Sequence, residues 1–548
     1  MQDVDVLIRH GQIIDGTGNP WFYGDVALTG ERIAAIAPPG QLPAERVGEV
    51  IDAAGHVVCP GFIDIQSHAI VSLMRDGRCV SKIAQGVTTE IMGETWTPAP
   101  VGGRLGVPLA ERGAGETAEP TDEWLERSRG WTRFGDWLEA MTERGVAPNV
   151  GSFLAGSVVR RHAMGMAMGS PDHQQLDVMR RVMAEAMADG AFDVSYALIY
   201  PPDVYTDTDE IVEVCKVVAE HGGLYITHMR SEGTAILEAL DEALAIGHGA
   251  GLPVEIYHLK ASGRPSWPLM PEVIGRIDAA RAAGQDVTAC MYPYVASGTG
   301  LTTILPTWAA EGGRLFERLA DAAERARIRE AMLESSQEYR ATPEGAREIM
   351  PVGLKLPQHR RYVGMRLDAI AEARGQAPAD AALDLLAAEG QRIFTLYFRM
   401  TEENLRRQIV KPWVKIASDA GAFDPATVAE GDLTHPRAYG TFPRVLGHYV
   451  RDAAALTLED AIRKMTSSVA ARLGIADRGT LRVGAMADVV IFDPASVADN
   501  ATFDRPHQLA SGIRDVWVNG QRVWHDGNHT GATPGQVVRP SSPAAAMA

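Results

Sequence analysis

Cysteine is scarce in this 548-residue chain: Cys59, Cys79, Cys215 and Cys290 are the whole set. None belongs to a C-x-x-C pair, and four over such a length do not make a disulfide framework. Long apolar runs are missing too. No stretch of about 18 uncharged apolar residues occurs, which excludes a membrane-spanning helix. The opening residues, MQDVDVLIRHGQIIDG, hold no basic segment followed by an apolar one, so a cytoplasmic location is expected. Basic residues are outnumbered: 52 Lys and Arg stand against 70 Asp and Glu, a formal net charge of −18. That balance argues against nucleic acid or an anionic membrane as partner, although a local cationic pocket can still take a small anion. A G-x-S-x-G elbow and a G-x-x-x-x-G-K-[ST] loop are also lacking, so neither a nucleophilic serine of that type nor a phosphate loop is indicated.

What is present suits a globular enzyme-sized protein. Hydrophobic residues make up 46% and charged residues 22%, and the length allows a large core with a satellite domain. Residues 4–58 read as short strands with glycine-containing turns, and the same texture returns in GTLRVGAMADVVIFDP and IRDVWVNGQRVWHDG. Val518-Asn519-Gly520 is a strong hairpin signal. Neither end has enough residues for a core of its own, so 1–58 and 476–540 are expected to form one discontinuous β-sandwich domain. The tail 541–548 is expected to be flexible. Between them, 59–475 alternates helix and strand. DHQQLDVMRRVMAEAMADG is amphipathic, with Val178, Met179, Val182 and Met183 at helical spacing. FDVSYALIY, LYITHM, PVEIYHL, DVTACMYPY, RIFTLYF and VKIASD read as strands, and the stretch 101–150 as loops and short helices. Such βα repetition predicts a parallel sheet closed into a (β/α)8, TIM-like barrel.

In such a barrel, chemistry sits at the C-terminal ends of the strands. Gln66 and His68 end the first strand, PGFIDIQSH. GVTTEIMGE puts Glu90, Met92 and Glu94 on one face, with Glu94 last. His228 ends LYITHM, His258 lies near the end of PVEIYHL, and Asp419 ends VKIASD. A lone histidine there is usually structural. Three histidines and two carboxylates converging on one pocket are costly to bury without a metal, so the set predicts a metal site. His162, His221 and His448 are scattered and read as ordinary, and Trp96 and Tyr257 as pocket wall or packing.

These motifs resemble the amidohydrolase superfamily, and within it the D-aminoacylase (N-acyl-D-amino-acid deacylase) family. The likeness runs through PGFIDIQSH, GVTTEIMGE, IYPPDVYTDTDE, THMRSEG, HLKASGR, YPYVASGTGL, SDAG, HPRAYGTFPRVLG and RKMTSSVAARLGI, in order along nearly the whole chain. The resemblance implies a (β/α)8 barrel with a small β-sandwich. It implies that His228 and His258 hold metal tightly and that Asp419 is the general base and proton shuttle. His68 matches the second histidine of the first-strand motif, and Gln66 replaces the first. The family's cysteine ligand, in a G-N-C-G context, is absent here, where Gly93-Glu94-Thr95-Trp96 stands. Glu94 is expected in its place if the segment is one residue shorter, and Thr95 if it is not.

The implied site is one tightly bound Zn2+ on His228, His258 and Glu94. A second position at His68 and Gln66 is weak or absent, because an amide oxygen is a poorer ligand than imidazole. The implied reaction is hydrolysis of an N-acyl amino acid by a metal-activated water, with Asp419 taking its proton. By the same resemblance Lys260, Tyr292 and Arg437 hold the substrate's free carboxylate. Preference for the D configuration follows from the resemblance alone. Two rivals stand beside this reading: a cyclic amidase or deaminase on the same barrel, and a non-catalytic binding protein with a degenerate metal site.

Overall fold

The computed structural model describes residues 4–42, 47–110, 119–334 and 342–541; of the expected tail 541–548, all but Ser541 lies outside the described residues. Eight parallel strands form its centre. β1 (Phe62–Asp64), β2 (Val87–Met92) and β3 (Asn149–Ser152, continuing at Leu154–Ala155) pair in that order. The ladder passes on to β4 (Val194–Ala197), β5 (Tyr225–His228), β6 (Val254–Ile256), β7 (Val287–Met291) and β8 (Val414–Ile416). The ring closes just beyond the strand ends. There the amide of Asp419 donates to the Gln66 carbonyl at 2.9 Å, and the amide of His68 to the Ala420 carbonyl at 3.1 Å. Closure therefore lays the ends of β1 and β8 side by side.

The connecting helices form where the sequence caps them. Asp172 accepts from the Gln175 amide while the Gln175 side chain reaches back, a capping box that starts the helix His173–Ala188. That helix buries Met179, Val182 and Met183. Asp207 caps Thr208–Glu220 by accepting from the Glu210 amide, and Ile211, Val214 and Val218 turn inward. A separate apolar core that includes Ile63, Ile65, Ile91, Phe153, Ile226, Tyr257 and Cys290 packs inside the ring, beneath the polar mouth.

RIFTLYF does not continue the barrel as its position in the βα pattern predicts. Its strand, Phe394–Tyr397, lies antiparallel between Ser297–Gly300 and Ile349–Pro351. It belongs to an insertion with its own apolar core, built on residues such as Leu301, Leu319, Ile349, Leu383, Leu386 and Tyr397. A short apolar run reads alike in a parallel and an antiparallel sheet, so periodicity alone does not separate the two.

Strands from both ends of the chain hydrogen-bond into one nine-stranded sheet. Val57–Pro60 joins the halves, parallel to Val4–Ile13 on one side and antiparallel to Val489–Phe492 on the other. Val26, Leu28, Ile33, Val58, Val489, Ile491 and Trp517 share its core. Asn519 and Gly520, at φ +48° and +76°, make the hairpin between Ile513–Val518 and Gln521–His525. Among the described residues no helix is long and apolar enough to cross a membrane.

Candidate metal centre

The backbone at the barrel mouth is bent to aim specific side chains. β2 ends at Met92, and Gly93 then takes φ +106°, where a Cβ would lie 2.3 Å from the Phe153 carbonyl oxygen. This turn swings Glu94 over the mouth. Thr95, at φ +67°, turns the other way and lines a neighbouring cavity, so Glu94 and not Thr95 faces the histidines. The turn also breaks the alternation read from the sequence. Glu90 does not join Glu94; it lies against Lys82 at 3.1 Å, away from the cluster. His258 and Asp419 sit past the ends of β6 and β8 at φ +32° and +51°, conformations that cost energy outside glycine and that the surrounding contacts impose.

The side chains converge. Glu94 Oε1 stands 3.3 Å from His228 Nδ1 and 3.4 Å from His258 Nε2, and Glu94 Oε2 stands 3.3 Å from His68 Nε2. His68 Nε2 is also 2.8 Å from Asp419 Oδ1. Two sets can therefore grip a cation: Glu94, His228 and His258, and His68, Glu94 and Asp419. The first set fits a metal on its spacing. Tetrahedral zinc with bonds of about 2.0–2.1 Å places neighbouring ligand atoms about 3.3–3.4 Å apart. The second set contains a true hydrogen bond, His68 to Asp419, which a metal there would have to break.

Glu232, which the sequence reading did not single out, backs the first set. Its Oε1 lies 3.0 Å from His258 Nδ1, and its Oε2 lies 3.7 Å from His228 Nε2, so it faces the ring nitrogens turned away from Glu94. A carboxylate in that position fixes which nitrogen of a ligating imidazole is free to bind. It stands within the quoted motif THMRSEG, but a loop glutamate there carries no periodic signal.

Gln66 is brought to the cluster in another posture than that of a ligand. Its amide nitrogen donates to Glu94 Oε2 at 2.5 Å, and its oxygen faces the Cys290 thiol at 3.4 Å. Lys260 Nζ donates to Glu232 at 2.5 Å and lies 2.8 Å from His258 Nδ1. Arg437 starts the helix Arg437–Arg444, its amide held by His435 Nδ1, and pairs with Asp419 Oδ2 at 2.6 Å. Its guanidinium covers the Tyr292 ring at 4.6 Å. Arg437 Nε is buried without a hydrogen-bond acceptor. Tyr200, Ser297, Gly298 and Thr299 complete the lining of the mouth.

Burial raises the Glu94 carboxyl, but His258, His228 and His68 outweigh it and hold it well below the usual carboxylate range. Burial acts alike on Asp419, where Arg437 and His68 win and lower it. Burial depresses the His68 imidazolium, yet Asp419 and Glu94 lift it to about 9. His258, depressed by burial and by Lys260, is lifted by Glu232 and Glu94 to about 9 as well. The carboxylates of Glu94, Asp419 and Glu232 draw positive charge into the mouth.

The wider comparison agrees with this geometry. Residues 49–524 match the family model described as "Amidohydrolase family". A D-aminoacylase of Alcaligenes xylosoxydans xylosoxydans is 35% identical over 98% of each chain.

The chain belongs to the amidohydrolase family, in its D-aminoacylase branch.

Solved amidohydrolases of this branch superpose over almost the full length. A D-aminoacylase with a binuclear metal centre, described as showing one-metal activation and second-metal attenuation, aligns at TM-score 0.78 and 33% identity, covering 98% of this chain and 100% of that one. An N-acyl-D-glutamate deacylase of Bordetella bronchiseptica, complexed with zinc and a phosphonate mimic of the tetrahedral intermediate, aligns at 0.79 and 30% with the same coverage.

Proposed function

We propose that this amidohydrolase is a metal-dependent deacylase that hydrolyses the linear amide of N-acyl-D-amino acids, with Asp419 as general base. The observation that carries the reading is the convergence of Glu94 Oε1, His228 Nδ1 and His258 Nε2 at coordination spacing, one hydrogen bond away from Asp419 through His68. Glu94, His228 and His258 would hold one Zn2+ tightly, and Glu232, 3.0 Å from His258 Nδ1, would keep that imidazole in the ligating tautomer. Bound there, the ion supplies Lewis acidity, which lowers the pKa of a water and polarises the substrate carbonyl.

The remaining steps belong to the chain's own groups. Asp419 Oδ1 takes the proton of the attacking water and passes it to the leaving nitrogen. His68, 2.8 Å from the same oxygen, orients the carboxylate. Arg437, whose Nε still lacks an acceptor, and Tyr292 beneath it receive the substrate's free carboxylate. Lys260 reinforces Glu232 and lends positive charge to the same wall. Gln66 acts as a positioning residue that anchors Glu94. With His68 bonded to Asp419 and Gln66 offering a donor, the outer metal position is weak. The preference for D over L follows the relatives named above. A cytoplasmic setting suits four cysteines that are all buried free thiols.

The test is a panel of N-acyl-D- and N-acyl-L-amino acids assayed for released amine with the Zn2+-loaded protein. Turnover of the D members, lost in Asp419→Asn, is the expected result. Cleavage of cyclic amides or amino-purines and of no linear acyl-amino acid would replace this reading.

A further inference from the structure

A cavity of about 570 Å³ opens beside the cluster, with Tyr200 as the wall they share. Among the described lining residues are Arg161, Arg230 and Arg392, and no aspartate or glutamate. Arg230 is held by Glu242, Nε to Oε2 and Nη2 to Oε1, both at 2.9 Å. Arg392 is different. Its Nη2 is buried and has no hydrogen-bond acceptor. Its guanidinium lies over the Tyr200 ring, 5.0 Å from the centroid. Tyr200 in turn meets His228 edge-on, 5.5 Å between ring centres, and its hydroxyl is 2.6 Å from Thr299 Oγ1.

The seat for this arginine is specific. A Cβ on Gly300 would lie 2.9 Å from Arg392 Nε, so this glycine gives the guanidinium its present position. The Leu301 amide donates at 2.8 Å to the carbonyls of both Arg392 and Ile393, and Ile393 takes φ +53°. A buried guanidinium N–H without an acceptor is costly, and its best partner is a carboxylate gripped in the plane of the fork.

We infer that Arg392 receives a second carboxylate of the substrate, carried on the limb that passes Tyr200 into the side cavity. The inference rests on the deacylase reading and narrows its substrate to a dianion. Trp96, Pro202, Leu305 and Phe316 line the same cavity and suit the carbon chain that bears the charge. The second carboxylate can come from the amino-acid side chain or from a dicarboxylic acyl group.

The test compares kcat/KM of the Zn2+-loaded protein in two matched pairs: N-acetyl-D-glutamate against N-acetyl-D-glutamine, and N-succinyl-D-leucine against N-butyryl-D-leucine. The wild type is expected to favour the acid of one pair by about 10- to 100-fold. Arg392→Met should collapse that ratio, chiefly through KM, and Arg392→Lys should restore part of it. The responding pair identifies the limb. Equal values for acid and neutral members of both pairs in the wild type overturn the inference and leave the deacylase reading intact. So does a ratio unchanged in Arg392→Met. Failure to cleave these four and every linear N-acyl amino acid of the wider panel overturns both.

Discussion

Asp64 and His68 are four residues apart in one segment, yet they serve two buried charge clusters of opposite character. Around Asp64, Lys82 Nζ donates to Asp64 at 2.8 Å, to Glu90 at 3.1 Å and to Ser418 Oγ at 2.8 Å. All three ammonium protons have acceptors, and the side chains of Lys82, Asp64 and Glu90 are wholly buried. In the other cluster the three imidazoles of His68, His228 and His258 instead stand 3.3–3.4 Å from Glu94, too far for good hydrogen bonds and suitably spaced to share a cation with it. Burial of charge is common to both. What separates structure from chemistry is whether the charges close on each other or leave a point on which their free atoms converge.

This contrast can be broken at either cluster. Asp419→Asn should lower kcat at least about 10³-fold with one Zn2+ still bound, because the proton carrier is lost, and should also lower the melting temperature, because Arg437 loses its buried counter-charge. Steady-state kinetics with elemental analysis checks it; a mild loss would show that another group carries the proton. Lys82→Met acts on the closed cluster. It leaves two carboxylates buried without a counter-charge and should cost about 3–5 kcal/mol in stability by denaturant unfolding, while the folded fraction still binds metal. Glu232→Gln sharpens the boundary between the two kinds. It keeps the shape but weakens the hold on the His258 imidazole, and Zn2+ affinity measured by chelator competition should fall about 10- to 100-fold. The smallest effect belongs to Gln66→His. An imidazole there is expected to raise the Zn2+ stoichiometry from one towards two, with the first ion held somewhat less tightly because Glu94 loses its Gln66 anchor.

The residues that could be read from the sequence are those fixed by strand ends. His228 needed only a parallel sheet and the rule that function sits at the C-terminal edge; His258 and Asp419 overshoot their strands by two or three residues and still arrive at the mouth. Glu94 required more, since the positive φ of Gly93 removes it from the alternation that would have paired it with Glu90. Glu232 and Tyr200 lie on loops, where neither period nor register marks which way a side chain turns. Gln66 and Lys260 were placed near the centre, but not with their partners: a side chain's hydrogen bonds depend on neighbours distant in sequence, as Gln66 with Glu94 and Cys290 illustrates. The strand Phe394–Tyr397 escaped for a similar reason, because its partners Ser297–Gly300 and Ile349–Pro351 are far apart in the chain.

The most direct measurement is the zinc content of purified protein after exhaustive chelation and reloading, taken together with amide hydrolysis. One tightly held Zn2+ per chain, restored with activity in the wild type and lost from Glu94→Ala and His258→Ala, is the predicted result. Full hydrolytic activity in metal-free protein, or one Zn2+ retained unchanged in both variants, would contradict a metal centre built on Glu94, His228 and His258.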